Sequence, residues 1–131
     1  MSKVTVTLSE LQLLYDASAK CLTEEFEDYK LRIAFAYFKR DSESNLGPES
    51  PIQKLRTDIF TRYGDPVEGG YSIPSDPEKR SKLISALEQA MSEKVSVRFP
   101  ELTAEIIEKA KLPMNASSLS ILISLGILKE E

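Results

Sequence analysis

The period of the apolar positions changes several times along the chain, and each change marks an element. Residues 4–8, Val-Thr-Val-Thr-Leu, alternate β-branched side chains and predict a short strand. Thr7 is followed three residues later by Glu10, a capping-box pattern that opens a helix with Leu8, Leu11, Leu14, Tyr15 and Ala19 on one face. A second helix is expected to open at Thr23, with Glu24, Glu25 and Glu27 in its first turn, where negative charge complements the helix dipole. Its apolar set is Phe26, Tyr29, Ile33, Ala34, Ala36, Tyr37 and Phe38, and the unbroken run 33–38 predicts burial on more than one face. Lys39 and Arg40 suit the last turn, and residues 41–49 read as a polar loop.

Ser50-Pro51 restarts the chain as a helix, with serine as the cap and proline at the first helical position. Ile52, Leu55, Ile59, Phe60 and Tyr63 form its apolar stripe. Gly64 is expected to close it in the left-handed conformation, and Pro66 prevents continuation. Residues 58–77 carry the densest run of turn chemistry in the chain: Gly64-Asp65-Pro66, Gly69-Gly70, Pro74 and Pro77. They read as a hinge-like turn over 64–76 inside a single domain, 1–131. Tyr71-Ser72-Ile73 alternates like a very short strand. Ser75 or Asp76 caps the next helix, whose face is Leu83, Ile84, Leu87, Ala90 and Met91.

Residues 95–99, Val-Ser-Val-Arg-Phe, alternate with period two and form the clearest strand. They are expected to pair with residues 4–7, and residues 71–73 could supply a third strand. Thr103 caps a short helix holding Ile106, Ile107 and Ala110; Asn115 caps a last one that runs to Leu125 and stops at Gly126. The expected fold is α+β and predominantly helical, with five or six helices packed with a small two- or three-stranded sheet.

Composition narrows the chemistry. A chain of 131 residues with 41% apolar and 29% charged residues can bury a core without metal or disulfide. Cys21 is the one cysteine, so neither an intrachain disulfide nor a paired-thiolate metal site is available. A buried, inert thiol is the expectation. The chain has no histidine, which removes the usual general base and the Ser–His and Cys–His nucleophile pairs. Net charge is −4 and the lysines and arginines are scattered, so no basic stripe for nucleic acid is expected. No apolar run reaches the length of a membrane span, and no signal-peptide core follows Met1, so the reading is cytoplasmic. No cofactor is implied.

Three stretches remain as candidate sites. Glu24, Glu25, Glu27 and Asp28 form a carboxylate group that a hard cation would favour, but no second cluster accompanies it. The glycines around Tyr63 and Tyr71 lack the lysine and the immediate helix of a phosphate loop, which leaves the two tyrosines as protein-contact candidates. The last helix is apolar over most of its circumference, with Ser117, Ser120 and Ser124 as a narrow polar stripe. Leu119, Leu122, Ile123 and Leu125 are therefore expected either inside the monomer or at a partner or self-association surface.

The order of these elements resembles a family of small proteins of unassigned role encoded by tailed bacteriophages. The resemblance lies in the opening with Leu8, Leu11 and Leu14, the helix ending in Tyr63-Gly64-Asp65, the element Gly70-Tyr71-Ser72-Ile73, the run Glu93-Lys94-Val95-Ser96-Val97, and the leucine-rich helix from Leu119 to Leu125. The family has fewer residues between the second helix and the helix that starts at Ser50. The resemblance implies a viral origin and a non-enzymatic role, and it supplies no catalytic residues. Two functions are expected: binding to a protein partner, such as a host factor, or self-association as a virion or tail-assembly protein through the C-terminal helix. Without histidine an enzyme would have to rely on carboxylates, lysine or tyrosine, and no such pair stands out.

Overall fold

The computed structural model describes residues 2–128; Met1 and residues 129–131 lie outside it. The fold is α+β and predominantly helical, with two small antiparallel sheets. Strand β1 (Ser2–Thr7) leads directly into α1 (Leu8–Ala17). The capping box is present in full: the Thr7 hydroxyl accepts from the Glu10 N–H, and the Glu10 carboxylate accepts from the Thr7 N–H at 2.8 Å. β1 pairs with β4 (Lys94–Phe99), aligning Val4 with Val97 and Val6 with Val95. The main core lies on the valine face of this sheet. Leu11 and Leu14 of α1 reach it from one side, and Phe35 and Phe38 of α3 (Tyr29–Leu46) from another. Phe99 sits between the two α3 rings, edge-on to both, with centroids at 5.7 and 4.8 Å. That geometry suits the aromatic quadrupoles.

Several expected boundaries move, each because a longer-range contact outcompetes a local signal. The second helix does not open at Thr23. Thr23 ends the short α2 (Ala19–Thr23), and its hydroxyl donates back to the Ala19 carbonyl. Glu24, Glu25 and Glu27 occupy a connection held down by Phe26, which packs edge-on to Phe35 at 6.0 Å. The cap of α3 is Asp28, whose carboxylate accepts from the Leu31 N–H. At its other end α3 runs on to Leu46, through residues expected to loop. Asp41 is held there by β4, and the Ser44 and Asn45 side chains donate to carbonyls of the preceding turn. Within 33–38, Ala34, Phe35 and Phe38 are buried while Ile33 and Tyr37 are exposed, so this helix has one buried face.

The segment 51–91 forms a lobe with its own small core. α4 (Pro51–Tyr63) packs on α5 (Pro77–Met91), and Ile52, Ile59 and Leu83 are buried apart from the main cluster. Between the helices, β2 (Asp65–Val67) and β3 (Gly70–Ser72) make a hairpin. Residues 70–72 therefore do not join the first sheet, because the nearer strand, 65–67, takes their hydrogen bonds. Gly64 is not left-handed; its φ is −80°. Glycine is needed there for closeness: a Cβ would stand 2.6 Å from the Phe60 carbonyl oxygen and 3.1 Å from the Tyr71 Cβ. Asp76, rather than Ser75, caps α5 through the Lys79 N–H. α6 (Ala104–Ala110) and α7 (Ala116–Ser124) follow β4, capped by Thr103 and Asn115 as expected.

Candidate functional site

α3 packs against β4 and α1, and that packing divides its apolar residues between two faces. Phe35 and Phe38 point into the core. Tyr29, Ile33 and Tyr37, spaced by four, fall on one outward stripe. Their exposures are 68%, 42% and 38%. Two arginines frame the stripe. The Arg32 guanidinium lies 5.9 Å from the Tyr29 ring centroid, and its other neighbour is the Glu25 carboxylate at 3.9 Å. At the far end the Arg98 guanidinium stacks over the Tyr37 ring at 4.3 Å, a cation–π contact.

Arg98 is fixed from β4. Its Nε and Nη2 donate to the two Asp41 carboxylate oxygens at 2.9 and 2.7 Å, and its backbone N–H donates to the same carboxylate at 2.9 Å. Hydrogen bonding from the Arg98 side chain holds the Asp41 carboxyl below its ordinary value, with the guanidinium charge adding to the effect. A bidentate pair of this kind sets an orientation as well as an energy. Tyr37 is thus held on one side while its other side stays open to solvent. A preset aromatic surface loses less rotamer freedom when a partner covers it.

The residues singled out from sequence divide. Tyr71 is exposed at 44% on the hairpin, opposite Pro66 and followed by the exposed Ile73. Tyr63 is only half-buried, in the corner where α4 meets β3. The C-terminal helix is largely consumed by the monomer. Leu122 is completely buried, and Leu119 and Leu125 are half-buried against the same cluster, because α7 lies on α1. Of that set Ile123 alone is exposed, so Leu122 is a core residue and not a contact residue. The serines 117, 120 and 124 face outward, as a helix docked by its apolar side requires.

Glu24, Glu25, Glu27 and Asp28 lie on the connection into α3, and among the described residues no group of acidic, cysteine or histidine side chains is arranged to hold a metal ion. Cys21 is buried, and desolvation pushes its thiol up to about 11, with Glu24 adding to the shift. No helix among the described residues is long and apolar enough to cross a membrane. The α3 stripe was missed from sequence although its spacing was visible. The run 33–38 is apolar in every direction, and only the packing of α3 on β4 and α1 tells the outward residues from the inward ones. Comparisons with protein-family models, curated proteins and solved structures find no match to this chain.

Proposed function

We propose that this is a non-enzymatic protein that acts by binding another protein, and that the Tyr29–Ile33–Tyr37 stripe of α3 is its principal contact surface. The carrying observation is the exposure of these three large side chains on one helix face, framed by Arg32 and Arg98. Tyrosine and arginine are enriched at the residues that dominate binding energy, and a helix face with anchors four apart fits a groove or a second helix. The hairpin pair Tyr71 and Ile73 offers a smaller, secondary contact. The protein works in a cytoplasm on this reading. The resemblance to phage proteins extends it to a phage-encoded modulator of a host factor.

The test is affinity capture from bacterial lysates, comparing the native chain with Tyr29→Ala/Tyr37→Ala and with Tyr71→Ala, all verified as folded. Capture that depends on the α3 tyrosines is the expected result. An identical set of captured proteins for the native chain and the α3 variant would remove this surface from consideration. Self-association is the second reading, and a separate observation on β1 favours it.

A further inference from the structure

Which way the backbone groups of β1 point follows from one hydrogen bond. The Leu8 N–H donates to the Glu93 carbonyl at 2.9 Å, just beyond the paired residues. Hydrogen-bonded pairs alternate along an antiparallel ladder. The bonded pairs are therefore Val6–Val95, Val4–Val97 and Ser2–Phe99, and Lys3, Thr5 and Thr7 turn their N–H and C=O groups away from β4. The outer side of β4 obeys the same alternation: Arg98 turns its N–H away from β1, and Asp41 receives it. α3 thus caps the β4 edge at Arg98. On β1 the outward N–H of Thr7 is taken by the Glu10 carboxylate. The backbone groups of Lys3 and Thr5 receive no hydrogen bond outside the strand pair among the described residues.

The free edge borders a groove of about 520 Å³ whose apolar lining includes Val4, Val6, Leu102, Leu125 and Ile127, with Glu101 among its polar residues. An edge strand with unpaired groups beside an apolar groove is a template for an added strand, and proteins usually blunt such edges. Lys3 is the one charge on this strand.

We propose that a second copy of this chain fills the edge, with the two β1 strands antiparallel about a two-fold axis at Thr5. The strand is complementary to itself in that register. Thr5 faces Thr5 of the second copy and exchanges two backbone hydrogen bonds with it. Val4 faces Val6 of the second copy, on the groove side. Lys3 faces Thr7 of the second copy, whose N–H stays with its own Glu10 carboxylate, so that pair contributes the meeting of each protomer's lone edge charge with an opposite one rather than a second full set of backbone hydrogen bonds. No like charges stand opposite, and the contact is the same surface on both protomers, as a two-fold requires. The product is a four-stranded sheet, β4–β1–β1–β4. This surface is separate from the α3 stripe, and its test does not depend on that reading.

The experiment is analytical ultracentrifugation of the full chain over a concentration series, with disulfide trapping. The native chain should show a concentration-dependent dimer. Thr5→Pro removes an N–H that β4 does not use, so it should keep the fold by circular dichroism and weaken the dimer roughly tenfold or more, as loss of edge hydrogen bonds predicts. Thr5→Cys should form a covalent dimer on mild oxidation, because facing residues of a bonded antiparallel pair stand about 5.5 Å apart at Cα, within disulfide reach. Ser96→Cys, on the same sheet face but on β4, should not. A native chain that stays monomeric, or cross-linking by Thr5→Cys no faster than by Ser96→Cys, overturns the proposal. Should Thr5→Pro fail to fold, the two cysteine variants decide it alone.

Discussion

Asp41 on α3 accepts three hydrogen bonds from Arg98 on β4, two from the guanidinium and one from the backbone N–H. Fifty-seven positions separate the two residues in sequence. One carboxylate therefore performs three tasks: it docks a helix on a strand, takes the outward N–H of Arg98 on that strand's edge, and holds the cation that stacks on Tyr37.

Replacing Asp41 with Ala should cost about 2 kcal/mol of stability, the scale of hydrogen bonds to a charged partner, read by urea unfolding near pH 7. The sign with pH follows from the lowered carboxyl. Its contribution is fully present above the ordinary carboxylate value of about 4 and is lost as pH falls through the lower folded value. The difference between the native chain and Asp41→Asn should accordingly shrink below about pH 4. A difference that stays constant down to acid would mean that the ionised carboxylate adds nothing to folding.

Cys21 should resist thiol reagents in the native protein at pH 8 and react freely in denaturant. Its thiol titrates near 11 when folded, against 9.0 ordinarily, because burial penalises the thiolate. A value raised by folding gives a contribution that is present below pH 9 and lost as pH rises through 11. Thermal melts of the native chain and Cys21→Ala should therefore converge between those limits. Rapid native labelling at pH 8 would contradict the burial.

Gly64→Ala should destabilise the α4–hairpin corner by roughly 1–3 kcal/mol, the usual cost of overpacking. The cause is crowding by the Phe60 carbonyl, Tyr71 and Ser72, not an unfavourable φ. Gly69→Ala, at a φ of 86° with open space around the added methyl, should be destabilised for the opposite reason, by backbone conformation alone. A neutral result at Gly64 in chemical denaturation would show that the hairpin yields easily.

Two core truncations should separate the lobe from the main body. Phe99→Ala removes the ring between Phe35 and Phe38 and should cost roughly 3–5 kcal/mol of global stability. Leu83→Ala empties the small core between α4 and α5, and its cost of roughly 2–5 kcal/mol should appear first as faster hydrogen exchange in those helices. Equal acceleration in α1 and α7 would mean that the lobe and the body open as one unit.

Much of the local structure was legible because caps and periods act over a few residues. Thr7 with Glu10, Asp76, Thr103 and Asn115 each start the helix that their side chains suggest. The alternation of Val95, Val97 and Phe99 marks β4, and pairing with β1 follows from two matching valine faces. Failures occurred where a residue had two local options and a distant partner chose between them. Thr23 can start a helix or end one, and Phe26 reaching Phe35 chose the second. Asp41 reads as a loop residue until Arg98 is placed beside it.

By itself the sequence determined where most helices begin, that the fold is helical with a small sheet, and that imidazole chemistry is absent, since these depend on residue identity and spacing within one or two turns. Tertiary structure alone decided which face of α3 is outward, which edge of the sheet remains open, and that Leu122 is spent inside the monomer. Those outcomes depend on partners tens of residues away. A period read along the chain says that a face is apolar, but only packing says whether another part of the same chain covers it.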